Sequence, residues 1–179
     1  LQIDWQKVQI IDLEDEKTWA GTNGVGSTLV NIFSTKFIIE TCDTKKTYYQ
    51  EFTNNTQNKT VPKIKDKPNS LGFTKITYYP DWDKLKTSMT EDHKLKIIKR
   101  TIDLAACNPH IKFTINNEKI AVSSFKDYIA LYNEEFIYDG SKEWKIGIAK
   151  SEDGFQHISF VNGIETKVGG THIDYISWQ

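Results

Sequence analysis

The chain reads as an α+β protein on three observations. Residues 37–42, 47–53 and 74–79 are short runs rich in β-branched and aromatic side chains, the composition of strands. From Glu91 the apolar period changes, with Leu95, Ile98, Ile102 and Ala105 at helical spacing. Strands and helices then mix without regular alternation and no segment repeats, which argues against a parallel α/β sheet.

Taken in order, residues 1–20 are mixed, and Val8, Ile10, Ile11 and Leu13 suggest a strand beside the acidic stretch 12–16. Gly21, Gly24 and Gly26 place three glycines within six residues, running into a short, helix-capable segment that ends near Ser34. Residues 37–42 and 47–53 predict a hairpin across 43–46. The stretch 54–69 is polar and proline-punctuated, a loop with a short extended piece at 61–64. Residues 74–79 form another strand, ended by Pro80-Asp81. The spacing predicts an amphipathic helix over 90–107, with Thr90 as N-cap, Glu91 and Asp92 favouring its dipole, and Asn108-Pro109 stopping it. Residues 111–115 alternate as a strand and turn back at Asn116-Asn117 towards Val122. A short helix follows over 125–132. Residues 144–150 and 155–161 predict a hairpin about Glu152-Asp153-Gly154.

At 179 residues the chain suits one ordinary domain, or pieces of two. Net charge is −1 and Arg100 is the only arginine, so no basic field announces nucleic acid. Lys94, Lys96, Lys99 and Arg100 read as the solvated face of the helix. Cys42 and Cys107 form no metal or disulfide spacing and read as thiols of an intracellular protein. No run is apolar and long enough for a membrane span, and the N-terminus is unlike a signal peptide. The sequons at Asn54 and Asn58 therefore read as chance products of a polar loop. The chain opens on Leu1 and its one methionine is Met89, so it is expected to be a piece of a longer protein.

The glycine segment carries the chemistry. Glycine accepts positive φ without steric cost, so such a loop turns sharply and gathers backbone N–H groups. It is either a plain turn before a helix or an anion site. It lacks the Gly-Lys-Ser/Thr of a P-loop, and Leu29 stands where a dinucleotide fingerprint needs a third small residue. The string Asn23-Gly24-Val25-Gly26-Ser27-Thr28-Leu29-Val30-Asn31-Ile32-Phe33-Ser34-Thr35-Lys36-Phe37 resembles the ATP lid of the GHKL ATPase superfamily, and within it the type IIA DNA topoisomerases. A second string, from Phe155 through Phe160-Val161-Asn162 to Gly169-Gly170-Thr171-His172, resembles the start of their transducer domain. Between them, Phe73-Thr74-Lys75-Ile76-Thr77-Tyr78-Tyr79-Pro80-Asp81 is similar to a strand of that family, and residues 125–132 to the segment joining its two domains. Order and spacing agree from about Glu14 to Ile176.

The resemblance implies the second half of a GHKL (Bergerat-type) α/β sandwich over 1–124, followed by the beginning of a ribosomal-protein-S5-like transducer over 125–179. It implies ATP as ligand, held by Gly21, Asn23, Gly24, Val25, Gly26, Ser27 and Thr28, with Thr74 near the adenine. Asn23 reads equally as a turn residue, and Thr74 as an ordinary strand residue. His172 reads as part of transducer folding, not as a catalyst. The tryptophans read as core or boundary residues, since a stacking platform would need a basic track. No catalytic residue is expected in the chain: the family's glutamate base and its asparagine ligand for Mg2+ match nothing in 1–179, and its Gln-x-Lys loop would follow Gln179. The implied parent is an ATP-driven, homodimeric gate acting on DNA, without a membrane, in a bacterial cytoplasm, nucleus or viral factory. The chain alone is expected to be inactive. Two alternatives are a non-catalytic binding or dimerisation module of the same fold and a MutL-like ATPase.

Overall fold

The structure, a computed structural model, describes residues 23–141 and 143–178. The strand expected near Val8 and the lid position Gly21 lie outside the described residues. Contacts divide the described residues into two compact units, with the boundary between Lys94 and Leu95.

In the first unit, helix α1 (Gly26–Ile32) leads directly into strand β1 (Ser34–Cys42). Strands β2 (Lys46–Thr53), β3 (Asn58–Lys59), β4 (Lys63–Asp66) and β5 (Phe73–Pro80) follow, then the short helix α2 (Trp82–Leu85). They form an antiparallel sheet of order β3-β2-β1-β5, with β4 also on β2. The β1–β2 hairpin closes as expected. Asp43 Oδ1 accepts the N–H groups of Lys45 at 3.0 Å and Lys46 at 2.6 Å, a side-chain mimic of a backbone turn. The extended piece expected at 61–64 is instead two strands, β3 and β4, each zipped onto β2. Edge pairing extended them beyond what their polar composition signals.

Directly opposed residues of an antiparallel ladder share a face, so the register sorts the sheet into two sides. One carries Phe37, Ile39, Phe52, Ile76 and Tyr78, with Phe37 buried. The other carries Lys36, Glu40, Glu51 and Lys75, joined by ion pairs of 2.9 Å (Lys36–Glu51) and 2.6 Å (Lys75–Glu40).

Helix α3 (Glu91–Cys107) carries the division between units. Its start is as expected, the Thr90 hydroxyl accepting the His93 N–H at 3.3 Å. The second unit continues through β6 (Thr114–Ile115), β7 (Glu118–Lys119), α4 (Phe125–Ala130), β8 (Phe136–Gly140), β9 (Lys145–Ala149), β10 (Phe160–Val161), β11 (Ile164–Glu165) and α5 (Thr171–Ser177). Its core gathers Ala106, Val122 and Tyr128, with Ile102, Ile120, Phe125 and Phe160 packed around them. Leu95, expected on the buried stripe of α3, is exposed, while Ala105 and Ala106 are buried.

The hairpin expected between 144–150 and 155–161 does not form. β9 pairs instead with β8, and β10 with β11. The Ser141 hydroxyl accepts the Glu143 and Trp144 N–H groups at 3.2 and 3.0 Å, closing the β8–β9 turn. Asn162 and Gly163, with φ of 51° and 73°, make the second turn. Asn-Gly supplies two positive-φ residues in succession, a stronger hairpin signal than Glu152-Asp153-Gly154.

Candidate functional site

The glycine segment forms the exposed approach to α1. Asn23 and Gly24 make a bend, Val25 precedes the helix, and Gly26, Ser27 and Thr28 form its first turn. Gly24 has φ +64°, the left-handed conformation for which glycine is the least strained residue. A Cβ at Gly24 or Gly26 would meet nothing within 4 Å, so their backbone is open to approach. The N-cap residue, Val25, makes no side-chain capping bond. Its first-turn N–H groups, at Gly26, Ser27 and Thr28, have no acceptor within α1, as at any helix start. Asn23, Gly24, Val25, Gly26, Ser27 and Thr28 are thus brought together as one exposed row of donors. These are the chemical requirements of a polyanion, and the described part of the segment fits one.

The opposite end of α1 is closed. The Ser34 hydroxyl donates to Val30 O at 2.6 Å, and Ser34 is 2% exposed. Asn55 Nδ2 donates to Ile32 O at 3.0 Å, to Ser34 O at 3.3 Å and to Asp81 Oδ2 at 3.0 Å. Lys84 Nζ reaches Ile32 O at 3.3 Å and lies 5.5 Å from the centre of the Phe33 ring. The Asp81 N–H donates to Phe33 O at 2.8 Å. The Lys84 N–H, then the Asn55 amide, hold the Asp81 carboxyl below its ordinary range.

Thr74 lies elsewhere on the sheet. It faces Thr41, while the α1 end of the ladder is the Ser34–Pro80 pair. Thr41 stands seven residues along β1 from Ser34, roughly 23 Å at ~3.3 Å per residue. Thr74 is exposed on the face that carries Ile39, Ile76 and Tyr78. The described residues thus place six of the predicted ligands on one segment and Thr74 on the apolar face of the sheet.

Among the described residues no group of three or more His, Cys, Asp or Glu side chains could hold a metal ion. His172 Nε2 lies 3.2 Å from the Thr166 hydroxyl, itself 2.5 Å from the Ser159 hydroxyl, an arrangement that pins the β10–β11 hairpin to α5. Burial pushes the Cys107 thiol above its ordinary pKa, away from nucleophilic use. Trp82 is half-buried against His93, whereas Trp178 is exposed, unlike a core or boundary residue.

Sequence reasoning missed one cluster altogether. In the second unit, Asp103 is 1% exposed, accepting from Tyr128 Oη at 2.8 Å and Lys99 Nζ at 2.9 Å. Lys99 also binds Glu165 at 3.0 Å, and Arg100 Nη1 donates to Gly163 O at 2.7 Å. An acidic residue four after a lysine on the predicted helix was the available signal, though it usually marks a surface pair.

No protein-family model matches the chain. The chain is 39% identical over 175 residues to a probable DNA topoisomerase 2 of Dictyostelium discoideum, covering 92% of this chain and 12% of that protein. It is 38% identical over 180 residues to DNA topoisomerase 2 of Acanthamoeba polyphaga mimivirus, covering 94% of this chain and 14% of that protein. The fold matches the crystal structure of the ATPase region of Saccharomyces cerevisiae topoisomerase II with a TM-score of 0.83 at 34% identity. That match covers 88% of this chain and 44% of the yeast chain. The chain thus spans about an eighth of the length of the curated relatives it matches.

Proposed function

This chain is a homologue of the type II DNA topoisomerases, aligned with part of their ATPase region, and from that premise we propose that it forms part of an ATP-operated gate. Residues 1–124 serve as the later portion of the nucleotide-binding domain and 125–179 as the opening of the transducer. The observation that carries the reading is the exposed row of backbone donors from Asn23 to Thr28, on a string that resembles the ATP lid of that family.

In this reading Gly21, Asn23, Gly24, Val25, Gly26, Ser27 and Thr28 hold the ATP phosphates, and Thr74 sits towards the adenine. Gly24 gives the turn that aims successive N–H groups at one anion, and the glycines keep side chains out of its approach. ATP supplies the cleavable anhydride and the binding energy. The chain's own residues bind and orient the phosphates, and ligand binding favours the closed lid over the open one. In the parent enzyme that closure would join two copies of the gate and couple hydrolysis, with Mg2+ held by residues outside this set, to the passage of DNA. The module and MutL-like alternatives are less favoured, because the relatives found are named as topoisomerases.

Titration of the chain with a non-hydrolysable ATP analogue tests the lid. Gly24→Ala adds no clash but opposes φ +64°, a conformational cost of roughly 1–2 kcal/mol for an L residue. Affinity is expected to fall about tenfold, the fold-change that corresponds to ~1.4 kcal/mol. Equal binding by wild type and Gly24→Ala would remove the lid from the nucleotide site.

A further inference from the structure

Helix α1 is held in an unequal way. From Asn23 to Val30 every residue is exposed, and the N-cap residue Val25 makes no side-chain capping bond. At the other end three carbonyls, of Val30, Ile32 and Phe33, are each taken by a group outside the helix. Helix carbonyls of the last turn have no partner of their own, so such capture is what fixes a helix end in place. The cation of Lys84 also meets the negative end of the helix dipole there.

The captors are themselves locked. Asn55 is the middle of three successive residues at positive φ, Asn54, Asn55 and Thr56, with φ of 51°, 55° and 74°. Its own N–H donates to Ser34 O at 3.1 Å, and the Asn54 N–H donates to Thr35 O at 2.9 Å. This turn is therefore wrapped onto the first residues of β1, and its amide is aimed at the junction. Asp81 takes one proton of that amide on Oδ2 while Oδ1 caps α2 through the Lys84 N–H at 3.0 Å. A single Asn side chain thus connects the end of α1, the start of β1 and the start of α2.

We propose that Asn55, Asp81 and Lys84 form a fixed socket for the C-terminal end of α1, and that this socket sets the direction in which the helix presents Gly24, Val25 and Gly26. The socket is a set of positioning residues. It rests on the lid reading above for its purpose, but not for its existence. Without the socket the helix would slide and fray, and the donor row would lose its aim.

Amide hydrogen exchange of the 179-residue chain, without nucleotide, tests the socket directly. Asn55→Gly removes the amide yet tolerates the positive φ. It should speed exchange at Leu29, Val30, Asn31, Ile32 and Phe33 about tenfold, as expected when a hydrogen-bonded anchor is lost. The sheet amides of Ile38, Ile39 and Thr77 should stay as in wild type. Lys84→Met, which leaves the sheet untouched, should give a smaller rise at the same amides, and Lys84→Arg should restore wild-type exchange. Unchanged exchange in α1, or an equal rise across the whole sheet, would overturn the socket. A second arm measures affinity for the ATP analogue. Faster α1 exchange in Asn55→Gly with unaltered affinity would overturn the positioning role. Failure of the wild-type chain to bind the analogue counts against the lid reading, and the exchange result still decides the socket.

Discussion

Asp103 shows how much one buried carboxylate can organise. Its two oxygens are shared between the Tyr128 phenol and the Lys99 ammonium, so neither lone-pair region is left facing apolar groups. Burial, then the bonds to Tyr132 and Asp103, push the Tyr128 phenol above its ordinary pKa, keeping it a neutral donor. At Lys99 burial works against the charge, but Asp103 and Glu165 outweigh it and raise its pKa. Asn at 103 would keep an acceptor for Tyr128 but turn N–H groups towards the Lys99 cation. Because Lys99 is 44% exposed and retains Glu165, water offsets part of the loss. Asp103→Asn is therefore expected to destabilise the chain by about 2 kcal/mol, at the low end for a broken buried pair, read as a lowered denaturant midpoint with unchanged slope. The pairing was hidden in the sequence because Lys99 and Asp103 have the spacing of an ordinary surface pair. Only the arrival of Tyr128, 25 residues later, makes the carboxylate a core group.

At the scale of elements, the N-cap of α2 doubles as a wall of the α1 socket, which makes the socket sensitive to acid. The Asp81 carboxyl is held below its ordinary range in the folded chain, so the charged form is the one that folding favours. The stabilisation is present above the unfolded value near pH ~4 and is lost as pH falls through the lower folded value. Exchange at Ile32 and Phe33 is expected to rise in that acid window, and Asp81→Asn should abolish the rise. Element by element, legibility followed local signal. The β1–β2 hairpin, the α3 cap and the Asn116-Asn117 turn were readable, because each is set by side chains within a few residues of the backbone they serve. The β8–β9 pairing was not. Residues 144–150 are an acceptable strand beside either neighbour, and the choice went to the partner with the tighter turn at Ser141. The β10–β11 hairpin follows the local Asn162-Gly163 signal, which outweighs the glycine turn at Gly154.

For the molecule as a whole, two compact units share α3, and the homology covers both. The proposed gate makes a plain expectation for the isolated chain: no phosphate release from ATP above buffer, with or without Mg2+, since the glutamate base and asparagine ligand that the resemblance implies match no residue of the sequence. Steady release that Gly24→Ala abolishes would overturn it. What the sequence determined by itself was the α+β class, most of the local elements and the family, because the glycine lid and the Gly-Gly-Thr-His string are contiguous and need no partner to be recognised. What the tertiary structure decided was which strands pair, that Asp103 is buried, and that Asn55, Asp81 and Lys84 converge on one helix end. The last two rest on contacts between residues from 21 to 66 positions apart, and in all three hydrogen-bond geometry and burial select among partners that local propensity leaves equal.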